Sequence, residues 1–125
     1  MKGKLYLASY YDLGVIPSNI HIINIARKDM NGVDDKRISL APSRELFNWY
    51  MNNKNNVNWF NDYEKVYMNQ LKNNKYALSE LSSIKNMLEN GKDVCLLCFC
   101  RNVNTCHRSL IGRLFKNKGF DVISF

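Results

Sequence analysis

Between Asp93 and Leu114 the chain reads DVCLLCFCRNVNTCHRSLIGRL, a stretch that holds all four cysteines and one of the two histidines. Cys98, Cys100, Cys106, His107 and Arg108 are the residues here whose types can do chemistry, and three uses compete for them. In the first, Arg108 and the free backbone N–H groups of a helix start grip a phosphate or carboxylate while His107 gives a hydrogen bond or a proton. A cysteine at a helix N-terminus beside a cation has its thiol pKa lowered, so Cys106 is a candidate nucleophile, with Cys98 as nucleophile or orienting group. In the second, Cys98, Cys100, Cys106 and His107 hold zinc. That spacing belongs to neither a finger nor a ribbon, so no metal is favoured and the cofactor is left open. In the third, cysteines simply fill a buried strand, the reading preferred for Cys95. A phosphatase-type loop is excluded, because Cys100 to Arg108 encloses seven residues and Cys98 to Arg108 nine, too many for it.

The elements that must position these residues are legible around them. Val94 to Phe99 is apolar without alternation, as in a strand covered on both faces of a parallel sheet. Thr105 offers an N-cap hydroxyl, and Leu110, Ile111, Leu114 and Phe115 recur at helical spacing. Cys106, His107 and Arg108 therefore fall in a first helical turn just past a strand's carboxyl end, where open α/β sheets place their ligands.

The remaining chain reads as scaffold. Lys4 to Tyr10 is a strand ending in Ser9 and Tyr10, and Asn19 to Ala26 is a second, closed by Arg27, with His21 at its start as a surface or edge residue. Residues 28–40 read as an irregular connection of binding-loop length. A helix opens at Ala41-Pro42-Ser43-Arg44-Glu45 with Leu46, Phe47, Tyr50 and Met51 as its buried stripe. Trp59 to Leu71 and Ala77 to Leu88 are two more, the first carrying an aromatic stripe read as core, and Gly91 caps the second. Phe120 to Phe125 is a closing strand. The fold class expected is α/β, a small Rossmann-like parallel sheet of about four strands with helices on both faces, in one domain over residues 1–125.

Composition bounds the partner. A net charge of +7 and a pI near 9.3 suit an anionic small molecule or nucleotide, with nucleic acid as a further possibility. The lysines are scattered, so a solvated surface explains them as readily. No stretch reaches the roughly 20 apolar residues of a membrane span, and the first residues run into a strand without a signal-peptide core. A cytoplasmic protein with reduced thiols and no membrane partner is therefore expected. Its oligomeric state is left open.

LLCFCRNVNTCHRSLIGRL resembles the C-terminal signature of the domain of unknown function 488 family, in which an L-L-C-aromatic-E stretch precedes a turn, C-H-R and an apolar helix. ASYY and APSRELF resemble two further motifs of that family, in the same order along the chain. The resemblance places Cys98, Cys106, His107, Arg108, Ser9, Tyr10, Ala41, Pro42 and Ser43 on its signature positions. Cys100 departs from it, standing where a glutamate is common, and this makes a shared metal site less expected. The resemblance implies fold and site without implying a reaction.

These readings lead to one expectation: a protein that binds a phosphate-bearing ligand, a nucleotide or nucleic-acid component, at the Cys106-His107-Arg108 helix start, as a transferase or hydrolase. Arg108, Ser9, Tyr10, Arg27 and Arg44 would bind the ligand; His107, Cys106 and Cys98 would be catalytic. The alternative is a non-catalytic nucleic-acid-binding or regulatory protein.

Overall fold

Alternation along the central strand divides the protein into two layers. In the computed structural model, which describes residues 1–100 and 102–125, Val94, Leu96 and Cys98 join one apolar cluster while Cys95 and Leu97 join another on the opposite face. Leu5 and Leu7 face the first cluster and Ala8 the second, and Ile23 and Ile22 divide in the same way. These residues belong to strands β1 (Leu5–Ser9), β2 (His21–Asn24) and β4 (Val94–Cys98), with β3 (Asp35–Lys36) and β5 (Val122–Ser124) at the edges. The sheet runs in the order β3-β2-β4-β1-β5 and every pairing is parallel.

The expected fold class holds, with a parallel Rossmann-like sheet whose described residues form five strands where about four were expected. The additional strand is β3, inside the segment read as irregular. Its two residues are recruited by side chains: His21 Nε2 lies 2.7 Å from Asp35 Oδ2, and Asp34 Oδ2 accepts from the Ile22 N–H at 2.7 Å. Arg37 then ties Asp35 to Glu80. Burial pushes the Asp35 carboxyl up, but hydrogen bonds from Arg37 and His21 outweigh it and hold the group below the usual range. None of this pattern is periodic, which is why periodicity misses the strand.

Helices α1 (Arg44–Asn53), α2 (Trp59–Lys72), α3 (Lys75–Glu89) and α4 (His107–Asn117) all send side chains into the first cluster. Helices were expected on both faces; among the described residues the second face is instead dressed more lightly, by a 3-10 turn over Tyr10–Val15 and by Ile16, Met30 and Val33. Ser9 starts that turn with a capping box: its hydroxyl accepts from Tyr11 N–H and its own N–H donates to Asp12. The amphipathic readings of the helices need adjustment in detail. Phe47 and Met51, assigned to the buried stripe of the first helix, are exposed, as are Val66 and Leu78 on the next two, whereas Leu46, Tyr63, Tyr67, Leu71, Ala77, Ile84 and Leu88 are core. Helix α4 approaches the sheet closely at Gly112, where an added Cβ would meet Leu7 Cδ1 at 2.8 Å. No helix among the described residues is long and apolar enough to cross a membrane.

Tyr67 joins these layers. Fully buried on α2, it donates from its hydroxyl to the Leu40 carbonyl at 2.6 Å and packs its ring edge-on to His107, centroids 5.6 Å apart. Replacing it by Phe strips the buried carbonyl of that donor, a loss expected to cost about 1–3 kcal/mol. The measurement is a lowered urea midpoint at unchanged slope.

Candidate functional site

Strand β2 hands the chain on to β3, while β4 passes under β1 to reach β5, so the connections after these two neighbours leave in opposite directions. The crevice between their carboxyl ends is the topological switch point of the sheet. A cavity of about 760 Å³ opens there, lined by Arg27 and Lys28 after β2 and by Cys98, Phe99 and Cys100 around the end of β4. Helix α1 adds Arg44, Phe47 and Tyr50; α2 adds Trp59 and Tyr63; the start of α4 adds Cys106 and His107.

The turn after β2 is shaped by buried Asn24, whose side chain donates to Lys28 O and accepts from Ala26 N–H, both at 2.8 Å. That double bond to the backbone turns the chain so that Arg27 and Lys28 border the cavity. Arg27 also donates to Pro42 O at 3.3 Å, joining this turn to the approach to α1, which Ser43 caps by accepting from Leu46 N–H at 3.1 Å.

At the floor, three sulfurs converge. Cys98, Cys100 and Cys106 place their Sγ atoms within 4.8 Å of one another, and Cys98 and Cys106 are 2.8 Å apart. Behind them lies Arg108, 2 % exposed, with Nη1 2.8 Å from Cys98 Sγ, 3.5 Å from Cys106 Sγ and 2.6 Å from Cys100 O. His107 Nε2 lies 2.8 Å from Ile25 O, and since a carbonyl can only accept, Nε2 carries the proton. Nδ1 lies 3.6 Å from Cys106 Sγ.

Charge settles on one sulfur of the three. Hydrogen bonds from Cys100 and from Cys106 pull the Cys98 thiol far below the ordinary range, helped by His107 and Arg108 and opposed by burial. Burial holds Cys106 far above it, reinforced by its contacts with Cys100 and Cys98. For Cys100 the bond with Cys106 works downward, but the Cys98 contact and burial outweigh it and raise the thiol to about 11. Among the three, Cys98 is therefore the thiol whose surroundings favour the ionised form. Cys106, expected to be activated by the helix start, is the N-cap residue of α4 without a side-chain capping bond, and burial first, then its contacts with Cys100 and Cys98, hold its thiol up. Thr105, expected as the N-cap, instead closes a 3-10 turn over Val103–Thr105.

The structure thus brings Cys98, Cys106, His107, Arg27 and Arg44 to one cavity. Arg108 belongs to the same site from behind, its guanidinium directed at sulfur and a carbonyl. Ser9 and Tyr10 do not line the cavity: Ser9 pairs in register with Cys98 as a cap, and Tyr10 packs on Phe99 with centroids 5.2 Å apart. His21 lies at the amino end of β2, away from the site. Cys95 faces the opposite layer, where burial raises its thiol to about 12. Three cysteines so placed have the donor set for a soft metal ion, with His107 Nδ1 beside Cys106.

Sequence reasoning missed Lys28, Tyr50, Trp59 and Phe99 as wall residues and Asn24 as the residue that shapes the turn. Tyr50 and Trp59 stack with centroids 4.9 Å apart, and Lys28 Nζ sits 5.7 Å from the Phe99 ring centroid. The signal for the aromatics was present in the stripe of α2, but only the fold shows that Trp59 borders a cavity while Tyr67 is core.

Fold and site together define a parallel α/β protein with a cysteine–arginine centre at its switch point. The chain belongs to the DUF488 family: the family model described as the active DUF488-N3 subclade matches residues 17–119. No curated protein and no solved structure matches it.

A depressed Cys98 pKa means that its thiolate persists at pH values where an ordinary thiol, near 8.5, is protonated. Alkylation of Cys98 by iodoacetamide, followed by peptide mass spectrometry, is expected to stay nearly level as the pH falls from about 8 to about 6. In Arg108→Gln the same reaction at the lower pH should slow by about tenfold or more, one pKa unit or greater. Arg108→Lys, which keeps the charge, serves as the control that separates charge from folding.

Proposed function

We propose that this protein binds a nucleotide or a nucleotide-like component of nucleic acid in the switch-point cavity, and that Cys98 attacks it in a transferase or hydrolase reaction. One observation carries the reading: a single cavity combines a sulfur held as an anion at its floor, aromatic walls and a basic rim. Its size, about 760 Å³, falls within the ~300–1,000 Å³ of small-molecule sites. Tyr50 and Trp59 offer faces on which a base can stack, and Arg27, Lys28 and Arg44 supply cations for phosphate. The Cys-His-Arg helix start contributes chemistry in this reading, while the arginines at the rim contribute binding.

In the reaction so proposed, the Cys98 thiolate forms a bond to an electrophilic carbon of the ligand as the leaving group departs with its bonding electrons. Water or an acceptor hydroxyl then displaces the sulfur, and His107 Nδ1 takes the proton of that nucleophile. Two groups thereby acquire distinct roles, and the roles can be separated.

Arg27→Ala and Arg44→Ala are expected each to weaken nucleoside monophosphate binding by about tenfold, the loss of one charge-assisted hydrogen bond of about 1.5 kcal/mol, in isothermal titration. Cys98→Ser should bind the same nucleotide with little change yet form no covalent adduct. Unchanged affinity in both arginine variants would remove the cavity from nucleotide recognition. The net charge of +7 supports the competing reading of a non-catalytic nucleic-acid binder, which predicts instead an affinity for duplex or single strands that falls steeply with salt and is indifferent to Cys98→Ser.

A further inference from the structure

The proposed reaction needs one nucleophilic sulfur, and the cavity floor holds three. Cys100 is the one that the reaction does not use and the one that departs from the family pattern. Its position differs from its neighbours' in a telling way: Cys98 and Cys106 are each 1 % exposed, whereas Cys100 is half-buried on the same cavity wall. The group consists of a buried pair in contact and a third sulfur within 4.8 Å, carried by a half-buried residue that lines the cavity.

We propose that Cys98 is a site of reversible two-electron oxidation by hydroperoxides, that Cys106 traps the product as a disulfide at the cavity floor, and that Cys100 is the exchange thiol through which an external dithiol restores the reduced site.

The steps balance. The Cys98 sulfur attacks the terminal oxygen of the hydroperoxide, the O–O bond breaks, and the departing oxygen takes a proton from water to leave as an alcohol, or as water from hydrogen peroxide. Cys98 is left as a sulfenic acid. The Cys106 thiol gives its proton to His107 Nδ1, 3.6 Å away, and its sulfur attacks Cys98 sulfur at a starting separation of 2.8 Å. The S–O bond breaks and the oxygen leaves as water with the proton carried by His107. The two sulfurs have lost two electrons and the peroxide has gained them.

Return needs an external dithiol as reductant. A protein dithiol needs an exposed sulfur to attack, and neither member of the buried pair presents one. Cys100 gives its proton to water in the cavity and its sulfur attacks the Cys106 sulfur; the Cys98–Cys106 bond breaks, the disulfide becomes Cys106–Cys100, and Cys98 leaves as the thiolate with the bonding pair. The external dithiol then attacks Cys100 sulfur, and its second thiol resolves the mixed disulfide, leaving a reduced protein and an oxidised reductant. Arg108, whose Nη1 contacts Cys98 and Cys106 alike, favours the thiolate released at each stage.

This inference draws on the thiol geometry and not on the nucleotide, so the two fail separately: Arg27→Ala bears on nucleotide affinity and leaves the sulfurs untouched. The test treats the full chain with hydrogen peroxide and follows intact mass and non-reducing peptide maps. Expected are the loss of two hydrogens, a Cys98–Cys106 cross-link, and full recovery with either thioredoxin or a small phosphine. Cys106→Ser should instead accumulate Cys98 sulfenic and sulfinic acid. Cys100→Ser should form the same cross-link and recover normally with the phosphine, but about tenfold or more slowly with thioredoxin, as a buried disulfide without an exchange partner must. Cys98 that stays reduced, a cross-link that never forms, or thioredoxin recovery unaffected by Cys100→Ser would each overturn the proposal. So would stoichiometric zinc in the purified protein that protects all three thiols.

Discussion

A guanidinium buried against sulfur is the interaction on which the rest of this protein depends. Arg108 is 2 % exposed, and its Nη1 lies 2.8 Å from Cys98 Sγ and 2.6 Å from the Cys100 carbonyl. Removing a cation this far from water is costly unless an anion or acceptors meet it, and here a carbonyl and the Cys98 sulfur, its thiol pulled below the ordinary range, do so. The pairing fixes more than charge. Cys98 ends β4, Cys100 lies in the turn beyond it, and Arg108 is in the first turn of α4, so one side chain binds strand, loop and helix together. The Cys98 sulfur is thus a partner of a structural cation, whatever further role it has in the cavity.

Much of the fold that sets up this pairing was legible in the sequence. The unbroken apolar run from Val94, the C-H-R turn and the spacing of Leu110, Ile111 and Phe115 gave strand, turn and helix in order, and parallel topology followed. The misses share a cause. β3 is held by Asp34, Asp35 and Arg37 through side-chain hydrogen bonds, which leave no period in the chain. The lighter dressing of the second face, by a 3-10 turn and loop residues, likewise follows from tertiary packing that no local pattern encodes.

The site was legible as a place and less so as an electrostatic arrangement. Position relative to a helix start suggested Cys106 as the activated thiol, because the dipole and a neighbouring cation act in one direction. What overrides them is proximity among like groups: only one of three adjacent sulfurs can ionise easily, and the hydrogen bonds converge on Cys98. Spacing in sequence cannot rank three groups that lie within 4.8 Å in space. Arg108 illustrates the same limit, since the residue type fits a ligand clamp and a buried counterion equally well and burial alone separates them. The other cations at the cavity are Arg27, Lys28 and Arg44, which the chain spreads over two segments and the fold brings to one rim.

Cys100 gains meaning from this arrangement. A carboxylate at that position, as in the pattern the chain resembles, would stand beside the Cys98 sulfur as a second anion and share the charge of Arg108. Like charges so close raise one another's pKa, so the thiol would be the weaker acid for it. A neutral thiol within 4.8 Å does the reverse, because its S–H dipole favours negative charge on Cys98 and works with Cys106 to pull that thiol below the ordinary range. The exchange of carboxylate for thiol thus moves the negative charge of the site from oxygen onto sulfur, while the backbone carbonyl of residue 100 continues to receive Arg108. The geometry that holds a structural cation in this chain thereby favours negative charge on the Cys98 sulfur.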